Sequence, residues 1–169
     1  MSKEFINQKI PGVKYGGMII YGERKIPLPE DAIISITLGA RFNIWRTIVN
    51  GFLTRFVMKQ MMNNPGLLYA ELVGNMEEGY GQTMTVWESK AMVPFRDSGS
   101  HKFSMKFFSW VFYSGKVHAY FSTYKANGYI PTFEEANQIA REYGRFFEGG
   151  KLIRKAQKPD ISKLLKKKA

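Results

Sequence analysis

The sequence predicts an α+β domain of the split βαβ, or ferredoxin-like, kind, with a four-stranded antiparallel sheet and helices packed on it. Three observations carry this reading. Segments of period two and segments of helical period follow one another as strand, helix, strand, strand, helix, strand. Clusters of Gly, Pro and Asn punctuate them. Hydrophobic residues make up 44% and aromatics 15% of a 169-residue chain, enough for one packed core.

The elements follow in order. Residues 1–30 are turn-rich, with Pro11-Gly12, Gly16-Gly17, Pro27 and Pro29, and are expected to form an N-terminal extension in which Met18–Gly22 is a short strand or arm. Ala32–Leu38 alternates, Ile34, Ile36 and Leu38 against Ile33, Ser35 and Thr37, which predicts the first core strand. Asn43 is an N-cap for a helix over Ile44–Met62, ended by Asn63-Asn64-Pro65-Gly66. In that helix Ile44, Trp45, Ile48, Val49, Phe52, Phe56 and Val57 make a stripe that is expected to face the core, with Arg46, Asn50, Thr54 and Lys59 opposite.

Leu67–Val73 and Gln82–Trp87 predict the second and third strands. Ser89 is expected to cap a helical stretch over Lys90–Tyr113, broken near Pro94 and Asp97-Ser98-Gly99. Its second half is apolar on two sides, with His101, Met105, Phe108 and Phe112 on one stripe and Phe103, Phe107 and Trp110 on another; such a helix is covered twice or flanks a cavity. Lys116–Tyr124 predicts the fourth strand, Asn127-Gly128 a turn, and Thr132 with Glu135 a capping box for a last helix that buries Ala136, Ile139, Ala140 and Tyr143. The domain is expected over residues 31–148, with Gly149-Gly150 releasing a basic tail, 149–169. A sheet with one bare apolar face needs a cover, so a homodimer packed sheet to sheet is expected.

Composition narrows the chemistry. There is no Cys, which excludes disulfides, thiolate nucleophiles and Cys-based metal sites. Met1–Asn7 lacks the apolar run of a leader, and no apolar run reaches the ~18 residues of a membrane span, so a soluble, cytoplasmic protein is expected. Net charge is +11, of which Lys151–Ala169 holds +7, with eight Lys or Arg against Asp160. That tail reads as a solvated terminus or as a contact to an anionic surface. The aromatics stand at core periodicity, and no specific nucleic-acid partner is expected. The two histidines, with no adjacent carboxylate pattern, do not make a zinc site, and Tyr80-Gly81 stands where a phosphate loop needs Lys-Ser/Thr.

The stretch Val86-Trp87-Glu88-Ser89-Lys90-Ala91-Met92, then Phe95, then Ser98-Gly99-Ser100-His101, resembles the third-strand-to-helix signature of dimeric α+β barrel proteins. The resemblance covers about Ala32–Tyr124. That superfamily includes antibiotic-biosynthesis-type and haem-degrading monooxygenases. The resemblance implies a monooxygenase-like protein that holds a hydrophobic small molecule between sheet and helices, with haem as a possible cofactor. In the haem-degrading members a His on the helix after the third strand is the axial ligand and a strand Trp lines the pocket; Trp87 matches that Trp, and His101 stands for that His at a longer spacing. The first-strand Asn of those enzymes has no counterpart within Ala32–Leu38; Asn43 follows it.

The candidate site therefore consists of His101 as ligand or catalytic base, with Trp87, Phe103, Met105 and Phe108 lining a pocket. Read from its position alone, His101 is equally a capping residue near a helix N-terminus, where neutral imidazole is favoured. His118 is a second catalytic candidate if its strand face, shared with Tyr120 and Tyr124, points into the pocket; otherwise it is a sheet residue bonded to a neighbour. A non-catalytic module that binds haem or another apolar ligand, its tail docked to an acidic partner or membrane, is the alternative.

Overall fold

The structure, a computed structural model, describes residues 8–10, 16–24, 27–75, 79–111 and 116–160, with 108–111 described as backbone alone. Eight strands and four helices follow one another as β1 (Gln8–Lys9), β2 (Gly16–Tyr21), β3 (Ile33–Ala40), α1 (Ile44–Met62), β4 (Leu67–Asn75), β5 (Tyr80–Trp87), α2 (Ser89–Arg96), α3 (Gly99–Val111), β6 (His118–Lys125), α4 (Phe133–Tyr143), β7 (Arg145–Glu148) and β8 (Lys151–Arg154). They form one antiparallel sheet in the order β1-β2-β4-β5-β3-β6-β7-β8.

The middle four, β4-β5-β3-β6, have the order of the split βαβ arrangement. The expectation of four strands is corrected at both edges. β2 forms the short strand expected over Met18–Gly22, and it pairs with β4, so the N-terminal stretch adds strands to the sheet. At the other edge Gly149-Gly150 releases no tail. Both glycines have positive φ, 53° and 82°, and they form a two-residue hairpin loop with Glu148 opposite Lys151. Residues 161–169 of the expected tail lie outside the described residues.

The two sheet faces differ. On one, Ile34, Ile36, Leu38, Tyr69, Met84 and Val86 pack against Ala136, Ile139 and Ala140 of α4. The α4 cap forms as its sequence dictates: Thr132 Oγ1 accepts from Glu135 N, and the Glu135 carboxylate accepts from Thr132 N. Asn137 Nδ2 donates to Gln82 Oε1 at 3.0 Å, and Gln82 Nε2 donates to Phe133 O at 3.2 Å, tying α4 to β5. Ile34, Ile36, Leu38 and Met84 are fully buried. α4 of the same chain thus covers this face.

The other face carries Ser35, Thr37, Thr83, Thr85, Trp87, Phe121 and Thr123, and α1 and α3 lie over it. Here most of the stripe expected to be buried on α1 faces outward, although Val57 does line the cavity. Trp45 is 72% exposed and Phe52 61%, with Ile44, Ile48 and Phe56 also exposed, while Asn50 and Thr54 turn inward. The bounds, the Asn43 cap and the stop at Asn63 match the sequence reading. Periodicity locates a stripe on a helix; only packing decides which stripe is covered.

The α2 cap is also corrected. Glu88 is the N-cap residue and makes no side-chain cap bond. Ser89 is already helical, and its hydroxyl donates to the Asp31 carboxylate just before β3.

Candidate functional site

Between the Ser/Thr-rich sheet face and the α1–α3 layer lies a cavity of about 230 Å³. Its strand side is small and hydroxylated: Ser35 and Thr37 from β3, Thr83 and Thr85 from β5, Thr123 from β6. Alternation puts these residues on one face. Its helix side is softer, with Val57, Met58 and Met61 from α1 and Met105 from α3, and Met92 and Phe95 from α2 close one end. Flexible thioethers fit ligands of irregular shape.

Three aromatic rings form a ladder along that end. Trp87, at the end of β5, is 1% exposed and stacks on Phe95 with centroids 4.5 Å apart. Phe95 in turn meets the His101 ring at 4.8 Å. Trp87 Nε1 donates to Thr85 Oγ1 at 2.8 Å, so the indole is oriented by the same strand that carries it. Trp87 therefore lines the cavity and belongs to the core cluster of Met61, Leu67, Met92 and Phe95.

His101 is held from two sides. Its backbone N–H, in the first turn of α3, has no acceptor within the helix. Gln60 of α1 supplies one: Oε1 accepts from His101 N at 2.8 Å, while Gln60 Nε2 donates to Ser98 O at 3.1 Å and to Phe95 O at 3.2 Å. The ring is fixed by Nδ1, 2.9 Å from the carbonyl oxygen of Arg96. A carbonyl only accepts, so Nδ1 carries the proton and neutral imidazole leaves its lone pair at Nε2. Burial is the main cause that pulls this imidazole below its ordinary pKa of 6.5, and the Arg96 charge adds to it; the bond to Arg96 O and the Asp97 carboxylate oppose it.

One turn on, Ser104 lines the same cavity. It is 3% exposed, and its Oγ is buried with no hydrogen-bond partner. A buried hydroxyl without a partner is costly unless a ligand or water meets it. His101 and Ser104, three residues apart on α3, add two polar groups to a helix wall that Asn50 and Thr54 of α1 also line. Sequence reasoning missed Ser104 and Gln60. The spacing from His101 was a signal for Ser104; nothing local marks Gln60.

Of the expected site residues, the structure brings Trp87, His101 and Met105 to the cavity. Phe103 is 61% exposed, on the outside of α3. The Phe108 side chain lies outside the described residues. His118, Tyr120 and Tyr124 alternate onto the α4 face, so the pocket expected to hold them lies across the sheet from their side chains. There His118 Nε2 is 2.9 Å from Glu148 Oε1, and Tyr120 stacks on Phe146 with centroids 4.6 Å apart. Tyr124 is packed near Glu135 and Tyr129, and burial raises its phenol above the ordinary range. Among the described residues, no group of three or more His, Asp or Glu could hold a metal ion.

No family model matches this chain, and no curated protein matches it. Two solved structures are similar. One, a "putative monooxygenase" from Fusobacterium nucleatum subsp. nucleatum, matches with a TM-score of 0.51 and 10% identity, covering 69% of this chain and 54% of that one. The other, of the same description from Lactobacillus acidophilus, matches with a TM-score of 0.43 and 9% identity over 68% of this chain and 53% of that one. This chain spans about half the length of each. The first likeness shows a shared α+β fold.

Proposed function

We propose that the cavity binds a compact hydrophobic molecule, aromatic or polyketide-like, and that the protein oxidises it in a monooxygenase-like reaction with His101 as base. The single observation that carries this is the state of His101: a neutral imidazole with Nδ1–H bound to the Arg96 carbonyl and Nε2 left to accept a proton. The substrate is of the hydroquinone or hydroxyaromatic class, which holds its own reducing electrons. His101 Nε2 takes a proton from an O–H or C–H of the substrate. The resulting anion gives electrons to molecular oxygen; one oxygen atom ends in the product and the other in water, with the substrate losing two hydrogens. Ser104 Oγ donates to or accepts from a substrate oxygen, and Trp87 and Phe95 face its ring.

Haem chemistry is the other form of this reading. The donor suits it, since neutral imidazole with an oriented Nδ1–H is what an axial ligand needs. The space does not: the cavity, about 230 Å³, lies below the ~300–1,000 Å³ of common ligand clefts, and a macrocycle would require α1 and α3 to part.

Oxygen uptake with reduced anthraquinol or naphthoquinol substrates tests the proposal. Consumption by the wild type that His101→Ala abolishes supports it. Substrate binding without oxygen uptake favours the non-catalytic binding module. A Soret band on mixing with haem, lost in His101→Ala, moves the assignment to haem.

A further inference from the structure

The outer surface of α1 and α3 is apolar, aromatic and basic at once. Ile44, Trp45, Ile48, Phe52 and Phe56 stand exposed along α1, and Phe103 along α3. Their spacing puts the α1 residues on one stripe, away from Asn50 and Thr54, which line the cavity. Arg55 and Lys59 are exposed on α1, and Lys102 on α3. Neither helix contains an Asp or Glu. Asp97, just before α3, is engaged in an ion pair with Arg96.

We infer that this helical layer docks on an anionic lipid surface, with Trp45, Phe52, Phe56 and Phe103 entering the headgroup region and the Arg and Lys side chains meeting lipid phosphates. The charge pattern selects this occupant. Exposed aromatics without cations would suit an apolar partner; aromatics interleaved with cations and no acid suit a negatively charged interface. A second copy of the chain through the same face would set Arg and Lys against Arg and Lys, with no carboxylate from either helix between them. The helices lie along the surface and do not cross it, since among the described residues no helix is long and apolar enough to span a membrane. The inference does not depend on the reaction proposed for the cavity.

The test uses the full chain with vesicles of phosphatidylcholine, with and without phosphatidylglycerol. Wild type is expected to pellet with the anionic vesicles, weakly with the neutral ones, and less as salt rises. Arg55→Gln and Lys59→Gln are each expected to weaken binding roughly fivefold, the usual effect of one cation near such a surface. Trp45→Ala with Phe52→Ala is expected to abolish pelleting; these side chains are exposed, and an unchanged circular dichroism spectrum confirms the fold. All these variants keep the basic C-terminal segment, so variants that pellet like wild type would assign the binding to that segment and overturn the inference. Equal pelleting with neutral vesicles, or none with anionic ones, would also overturn it. So would a dimer in light scattering that Trp45→Ala with Phe52→Ala dissociates, or a single-stranded oligonucleotide that displaces the protein from vesicles and binds through the same residues.

Discussion

His101 Nδ1 and the carbonyl oxygen of Arg96 are 2.9 Å apart, across the short break between α2 and α3. That contact turns a histidine with two possible tautomers into one with a defined lone pair. The break itself comes from the chain: Pro94 lies inside α2, Asp97 caps it, and Gly99, the first residue of α3, takes a φ of 51°. The carbonyl that Arg96 presents at the end of one helix thus orients the first-turn side chain of the next.

A buried imidazole held neutral titrates low. Proton NMR of the His101 ring should give a midpoint below the ordinary 6.5, since burial lowers it. Because the folded pKa is below the unfolded one, the contribution of His101 to stability is present in full above about pH 6.5 and is lost as pH falls toward the folded pKa. Any oxygenase rate that uses Nε2 should fall as the pH drops through the folded midpoint, where the ring itself takes up a proton. A midpoint above 6.5 would contradict the burial argument.

Ser104→Ala separates binding from folding. The wild-type hydroxyl is buried without a partner, so its removal should leave the empty protein as stable or more stable, by up to about 1 kcal/mol in urea denaturation. Affinity for an oxygen-bearing aromatic ligand should drop at the same time. A loss of stability would mean that the hydroxyl already has a structural partner.

Trp87 and Trp45 should respond oppositely to truncation. Trp87→Ala removes a buried ring stacked on Phe95 and should cost about 3–5 kcal/mol. Trp45→Ala, at a residue 72% exposed, should change stability by no more than about 0.5 kcal/mol. If Trp45→Ala cost as much as Trp87→Ala, α1 would be turned the other way, with its aromatic stripe inside.

The buried Glu71 gives a prediction on the other side of the sheet. It is 1% exposed, accepts from Tyr69 Oη at 2.8 Å and is paired with Arg24. Burial raises its carboxyl pKa, against the pull of Arg24. Arg24→Ala leaves that carboxyl without its cation and should cost up to about 3 kcal/mol at pH 7. The folded pKa is raised further in the variant, so the loss should shrink as the pH falls toward the ordinary carboxylate range and Glu71 takes up a proton. Urea midpoints of both proteins across pH 5–8 would measure it; a loss that does not vary with pH would put the effect in packing of the Arg24 stem.

The strand and helix positions were legible because they depend on local period and local punctuation. α1 runs over the residues that its Asn43 cap and Asn63 stop mark out, and the Thr132–Glu135 box opens α4. The hairpin at Gly149-Gly150 has one local signal, the Gly-Gly pair itself, since neither Arg145–Glu148 nor Lys151–Arg154 alternates polar with apolar residues. His101 and Trp87 came from a motif, and the structure sets both on one cavity.

What the amino-acid sequence determined by itself was the four central strands, the helices between them, their order and the pair Trp87 and His101, since each depends on residues close in the chain. The tertiary structure decided which faces meet. Local periodicity defines two faces for β6 and for α1, and only the packing of α4 under the sheet sends His118, Tyr120 and Tyr124 away from the cavity. Only the seating of α1 over a Ser/Thr-lined strand surface turns Asn50 and Thr54 inward and leaves Trp45 and Phe52 in the open. Gln60, far from His101 in sequence, holds it by a bond that no local pattern contains. The physical reason is that a side chain's burial is set by what the rest of the chain places opposite it.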